Sequence, residues 1–186
     1  MRARRHDTRI ASSDARWLQW RERDRDWSRR LYSASRFGPI VRLLGWVSVL
    51  SDGIVWYVTM AALPWIAGPR GSACMWRMLV LGLVNVTIYK ITKRFFARPR
   101  PFTSCDDIQA CAKVLDEYSF PSGHTLHAVA FSLVLCTYWP ALGWLLWPFA
   151  ILVALSRIVL GLHYPSDVAA GAAIGWLAAE GVLMLL

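Results

Sequence analysis

From residue 37 onward the chain alternates long apolar stretches with short polar punctuation. The first apolar run covers Leu43 to Ile66 and carries one polar interruption, Ser51-Asp52-Gly53. Splitting residues 37–67 into two spans leaves each too short, so this stretch reads as a single span. A second run covers Cys74 to Phe96 and must stop near Pro99 and Pro101, which cannot continue a helix. Three more runs follow at Ser122–Trp139, Ala141–Leu160 and Ser166–Leu186, with Pro140 as a tight turn and Pro148 as a candidate kink. A helix needs ~20 apolar residues to cross a bilayer, and isolated strands leave their backbone groups unsatisfied in lipid. The pattern therefore predicts an all-α, polytopic membrane helix bundle with about five transmembrane helices. Small residues from Ala169 to Gly175 suit close helix packing in the last span.

The first 36 residues break the pattern. Trp17, Trp20, Trp27 and Leu31 fall on one helical face, with Arg21, Arg23, Arg25, Arg29 and Arg30 mostly elsewhere. Asp24 interrupts the apolar stripe. Residues 13–36 read as an interfacial amphipathic helix with its indoles at headgroup level; a loosely ordered basic arm is the alternative. The expected division is 1–36, basic arm with interfacial helix, and 37–186, transmembrane domain. No secretory leader pattern is visible.

Composition sharpens this. The chain has 186 residues, is 56% hydrophobic and contains 11 Trp. Eleven Arg and five acidic residues in positions 1–36 leave +6 of the total net charge of +9 there. A basic arm ahead of membrane spans is drawn to anionic lipid, at about 1 kcal/mol per basic residue. No base-reading module follows it, so the expected partner is the bilayer and not nucleic acid. Cys105 and Cys111 share one loop and could pair; Cys74 and Cys136 read as packing residues.

Five spans put four points on one membrane face: the end of the second span, the start of the third, the end of the fourth and the start of the fifth. The unusual polar residues collect there: Lys93 and Arg100; Ser122, Gly123 and His124; Arg157; His163 and Asp167. Three cations suit an oxygen-rich dianion such as phosphate. Ser122 and Gly123 open a helix whose free N–H groups and dipole favour an anion. One histidine can attack phosphorus while the other protonates the departing oxygen. Asp167, four residues after His163, can hold one ring nitrogen so that the other stays nucleophilic. The opposite face offers only Arg70 and Arg77.

These residues resemble a known family. Lys93 to Pro101 reads Lys, six residues, Arg-Pro; Pro121 to His124 reads PSGH; Ser156 to Asp167 reads Ser-Arg, five residues, His, three residues, Asp. In order and spacing they are similar to the three signatures of the type 2 phosphatidic acid phosphatase family, which is related to vanadium haloperoxidases and bacterial acid phosphatases. The helical framework extends the likeness to roughly 40–186. The departure is at the N-terminus, where an interfacial helix stands in place of the extra span that many membrane members have. The resemblance implies that Lys93, Arg100 and Arg157 bind phosphate with Ser122 and Gly123, that His163 forms a phosphohistidine, that Asp167 orients it, and that His124 serves as acid and then base. It implies no cofactor and no metal.

The resulting expectation is a membrane phosphatase acting on a lipid phosphate or diphosphate. Undecaprenyl diphosphate is the first guess; phosphatidylglycerophosphate, phosphatidate and phosphorylated lipid A are the alternatives. Transfer to a lipid hydroxyl, a non-catalytic lipid-phosphate binder or transporter, and a His-His-Asp zinc site are the rivals, the last opposed by three neighbouring cations. Arg94 and Arg98 read as headgroup-steering or snorkelling residues, and His127 as an interface or supporting residue. Asp52 reads equally as a functional intramembrane acid or as a polar residue at a bend. The Arg-rich arm argues for a cytoplasmic site, while the loop cysteines and the resemblance argue for a periplasmic one, which is favoured, in a bacterial inner membrane. Oligomeric state is not legible.

Overall fold

The computed structural model describes residues 18–114 and 116–186; Trp17 and the start of the amphipathic stretch lie outside them. All regular structure among the described residues is helical. Helix α1 covers 18–32, a 3-10 turn follows at Ser33–Arg36, and α2 covers Gly38–Ser51. Next come α3 (Ile54–Phe96), the short α4 (Pro101–Ser104), α5 (Gly123–Tyr138), α6 (Gly143–Val159) and α7 (Pro165–Leu185).

The first expected span is broken. Helix α2 stops at Ser51, the chain turns through Asp52 and Gly53, and α3 begins at Ile54. Gly53 holds φ +116°, which L side chains rarely adopt, so the break is built into the backbone. Helix α2 instead packs Leu44 against Val159, Leu160 and Leu162 at the end of α6. An apolar count along 43–66 does not register a glycine turn that reverses the local backbone. Helix α3 is itself two limbs, 54–67 and 69–96, separated by Gly68 at φ +54°, ψ −134°. Pro69 starts the second limb with its φ already helical. A Cβ on Gly71 would lie 1.9 Å from the Leu63 carbonyl oxygen, so the limbs fold back on each other where only glycine fits.

The two limbs of α3 and helices α5, α6 and α7 make up the bundle. Three stretches, Ile54–Ser104, Pro140–Val159 and Pro165–Leu185, are long and apolar enough to cross a membrane. The protein is a multi-pass membrane helix bundle. Its core gathers Trp56, Met60, Met78, Leu81, Phe131, Val134, Val153 and Val182, with Trp56 held edgewise between Phe131 and Phe149. Trp65 and Trp144, 91% and 90% exposed, lie near the end remote from His124 and His163, where indoles favour the membrane interface. At that end Arg70 donates to the Tyr138 carbonyl and Arg77 to the Leu186 carbonyl. Two cations therefore cap helix C-termini, where the dipole is negative.

Helix α1 lies against the other end. The Arg29 Nε–H reaches both carboxylate oxygens of Asp107 at 3.1 and 3.0 Å, and the Gln109 N–H donates to Tyr32 Oη at 3.1 Å. Asp24 and Ser28 form its buried face, while Trp27 is exposed. Asp24 is therefore the inward anchor of this helix and not a flaw in its stripe. The thiols of Cys105 and Cys111 are free, so the loop carries no staple between them.

The tightest helix contact is α5 on α7, and it carries the sequence's small-residue stripe. A Cβ on Gly171 would sit 2.5 Å from the Ser122 carbonyl oxygen, and one on Gly175 2.3 Å from that of Leu126. Around Gly181, on the same helix, a Cβ meets nothing within 4 Å. Gly175→Val is expected to destabilise the detergent-solubilised protein by about 1–3 kcal/mol through overpacking. Gly181→Ala is expected to stabilise it by up to about 1 kcal/mol through helix propensity. Thermal unfolding of the two variants checks the opposite signs.

Candidate active site

The end of α6 and the start of α7 clamp His163 from both sides. The N–H groups of Leu162 and His163 both donate to the Arg157 carbonyl, at 3.1 and 2.9 Å. Gly161, at φ +75°, permits this turn; a Cβ there would lie 2.6 Å from the Gln109 carbonyl oxygen. On the other side, Asp167 Oδ2 accepts the Tyr164 N–H at 2.9 Å and so caps α7. His163 is 2% exposed and Asp167 is fully buried.

The ring of His163 faces Arg100, whose Nη1 lies 3.3 Å from Nε2. A guanidinium only donates, so Nε2 presents its lone pair and the ring proton sits on Nδ1. That atom has no hydrogen-bond partner. It lies 3.7 Å from Asp167 Oδ2, within ion-pair reach but beyond a hydrogen bond. Burial, then Arg157, Arg100 and Lys93, push the His163 imidazole well below its ordinary value of 6.5. Its neutral form is the resident one.

Lys93 and Arg100 share a partner that sequence reasoning missed. Asp116 Oδ1 accepts from Lys93 Nζ at 2.8 Å and from Arg100 Nη2 at 2.7 Å. Burial raises the Asp116 carboxyl, but its two cations outweigh that and hold it below the usual carboxylate range. Arg157 differs. Its Nη1 donates to Ser48 Oγ, its buried Nε has no partner, and among the described residues no carboxylate lies within ion-pair distance of it. An uncompensated buried cation costs several kcal/mol, so this corner of the site favours an anion.

His124 opens α5, its Nε2 paired with Asp52 Oδ1 from the break between α2 and α3. His127, one turn on, places Nδ1 2.8 Å from the Gly123 carbonyl, which fixes its ring in the wall. Gly123, His124, His127, Arg100, Asp116, Arg157 and His163 all line one cavity of about 540 Å³. Ser122 does not. Its Oγ pairs with Thr125 Oγ1 at 3.0 Å and its N–H donates to the Asp167 carbonyl at 3.0 Å, so it ties α5 to α7. The cavity continues between the limbs of α3 and α5 past Trp56, Met60, Met78, Leu83 and Phe131, an apolar extension of a charged head.

Arg98 is no headgroup-steering residue. Its Nη1 reaches Asp167 Oδ1 at 2.7 Å and Ser166 Oγ at 2.7 Å, its Nη2 reaches Asp24 Oδ2 at 2.6 Å, and it lies 4.0 Å over the Tyr164 ring. The Ser166 N–H donates to Asp24 Oδ1 at 3.1 Å. Helix α1 thereby reaches the carboxylate behind His163. The only sequence signal for this was Asp24 on an otherwise apolar stripe. Among the described residues no group of three or more His, Cys, Asp or Glu side chains is placed to hold a metal ion.

Comparison with known proteins points to one family. The chain is 30% identical over 148 residues to the bacitracin transport permease protein BcrC of Bacillus licheniformis, covering 78% of this chain and 70% of that protein. It is 37% identical over 90 residues to the undecaprenyl-diphosphatase BcrC of Bacillus subtilis, 48% of this chain and 46% of that one. It is 36% identical over 135 residues to the decaprenylphosphoryl-5-phosphoribose phosphatase of Mycobacterium tuberculosis, 69% and 71% of the two chains. The crystal structure of Aquifex aeolicus LpxE superposes with a TM-score of 0.70 at 24% identity, covering 84% of this chain and 92% of that chain. The model of the PAP2 superfamily matches residues 74–185, and the chain belongs to that superfamily.

Proposed function

We propose that this protein hydrolyses a membrane lipid phosphate or diphosphate through a phosphohistidine, with a polyprenyl-linked substrate, undecaprenyl diphosphate first among them. The observation that carries this reading is the arrangement at one cavity head: a neutral, buried His163 presenting Nε2 beside Arg100, next to a guanidinium at Arg157 that has no carboxylate within ion-pair distance among the described residues. The relatives named as polyprenyl phosphatases support the tail class. The apolar extension of the cavity supports an amphiphile over a soluble ester, and its volume lies within the ~300–1,000 Å³ usual for small-ligand sites.

In this mechanism Lys93, Arg100 and Arg157 hold the phosphoryl oxygens and offset charge gathering on them. The Gly123 end of α5 adds its dipole. Nε2 of His163 attacks phosphorus as the bond to the leaving oxygen breaks, and that oxygen takes the electron pair and a proton from His124. Water then attacks the phosphohistidine, His124 removes its proton, and phosphate leaves as Nε2 recovers its lone pair. Asp167, capping α7 beside Nδ1, faces the charge that the ring carries while phosphorylated. Ser122 contributes through the α5–α7 junction. Asp116 is the anion that phosphate must displace from Lys93 and Arg100.

We place the cavity head on the periplasmic side of a bacterial inner membrane, following the family resemblance against the Arg-rich arm at the same end. Cys111 is exposed there. Its labelling by an impermeant maleimide in intact cells is the expected result, and protection until lysis reverses the assignment.

Purified His163→Ala is expected to release no phosphate from undecaprenyl diphosphate while keeping its melting temperature. His124→Ala is expected to lose about 10²–10⁴ in kcat/KM. Activity that persists in His163→Ala overturns the nucleophile. Phosphate release is also expected to persist in excess EDTA and to be inhibited by vanadate. Asp116→Ala frees two cations, so vanadate should inhibit this variant at lower concentration than the wild type; weaker inhibition means that Asp116 organises the anion site and does not compete for it.

A further inference from the structure

One acidic residue in the apolar run has no place in the scheme above. Asp52 stands at the break between α2 and α3, where Gly53 takes φ +116° and lets the chain turn. Its carboxylate meets Nε2 of His124 from across 72 residues of sequence. Both residues line the charged head of the cavity. The turn is short, Asp52 caps the end of α2 through its N–H to the Val49 carbonyl at 3.1 Å, and Ser51 Oγ closes on Ser48 at 2.8 Å. The carboxylate is thus delivered by a fixed piece of backbone.

Building on the phosphatase reading, we propose that Asp52 is a positioning residue for His124: it holds Nε2, fixes the ring, and keeps a proton available on Nδ1 for the leaving oxygen. The need for such a partner follows from the company that His124 keeps. Arg157 faces it from α6, His127 from the next turn of α5, and His163 from the α6–α7 turn. Asp52 is the anion in direct contact with it, and Lys113 in the loop beyond faces Asp52. A histidine that must donate a proton beside a cationic phosphate seat loses that proton to solvent more readily without a carboxylate at its back. Paired with Asp52, the ring also keeps one orientation while phosphate and alcohol come and go. The site then contains two His–carboxylate pairs of different design. His163 faces a carboxylate committed to a helix cap and to Arg98, and stays neutral. His124 bears directly on a carboxylate that is half-exposed, and carries the mobile proton. The cost of an acid in a membrane run is met by this contact.

The test compares Asp52→Asn and Asp52→Glu with wild type in detergent, using farnesyl phosphate, whose leaving group is an alkoxide, and 4-nitrophenyl phosphate, whose leaving group is a stable phenolate. Asp52→Asn keeps shape and removes charge. It is expected to lower kcat/KM for farnesyl phosphate by about 10–100-fold, by analogy with the carboxylates that orient metal-bound histidines. For 4-nitrophenyl phosphate, which needs little help from an acid, the loss should stay under about threefold. The alkaline limb of the kcat/KM profile should move to lower pH, because His124 then gives up its proton sooner. Asp52→Glu should recover part of the farnesyl phosphate activity. Vanadate inhibition and melting temperature should match wild type in both variants. Equal loss on the two substrates with an unmoved pH profile, or no loss at all, overturns the assignment; the latter means that Asp52 merely rests where the leaving group sits. If wild type itself releases no phosphate from these two substrates and none from undecaprenyl diphosphate, the phosphatase reading falls and takes this role with it. Active wild type with an indifferent Asp52→Asn removes Asp52 alone.

Discussion

The structure is organised around a concentration of positive charge that a membrane protein would ordinarily avoid. Lys93, Arg100 and Arg157 are each 5% exposed or less and come from three different segments. Like charges brought out of water repel and lose hydration together, a penalty of several kcal/mol per ion. The fold manages two of them with a single carboxylate, Asp116, and leaves Arg157 with a hydroxyl and an unsatisfied Nε. Every other feature of the site reads as a response. The neutral state of His163 follows from burial beside these cations, and Asp52 stands where it offsets the field felt by His124.

Such a cluster survives only on a rigid frame. The frame here is the α5–α7 contact, in which two glycines let backbones approach closely enough to exclude any larger residue. It also carries a backbone bond between the starts of the two helices, Ser122 N–H to the Asp167 carbonyl. The start of α5 and the start of α7 are therefore fixed relative to one another, and with them His124 and His163. A lipid-facing bundle gains little from the hydrophobic effect between helices, so close packing of small residues is the available source of precision.

Helix α1 extends this frame beyond the matched family region. Through Asp24 it reaches Arg98 and Ser166, and through Arg98 it touches the carboxylate behind His163. A segment read from sequence as a basic arm with an interfacial helix thus braces the groups behind the site. Its indole at Trp27 is exposed and its acid at Asp24 is buried.

The sequence by itself determined the helical class and the ends of α5, α6 and α7 to within two residues, and it named Arg100, Gly123, His124, Arg157 and His163, which line the cavity, because apolar length, proline stops and fixed motif spacings are local properties of the chain. Gly53 was visible as a letter, but its reversed backbone was not, so one predicted span became two helices, whereas the reversal at Gly68 falls in the gap that the apolar pattern leaves between its first two runs. Asp116, Arg98, Asp24 and Asp52 acquired partners only in three dimensions. Each lies between about 16 and 74 positions from the group it serves, as Arg100, Asp167, Arg98 and His124 show, and charge pairing across such distances leaves no periodic trace. Ser122, matched by motif to a phosphate role, was turned inward by the demands of the α5–α7 junction. Motif spacing states which side chains meet; only packing decides which of their atoms face the cavity.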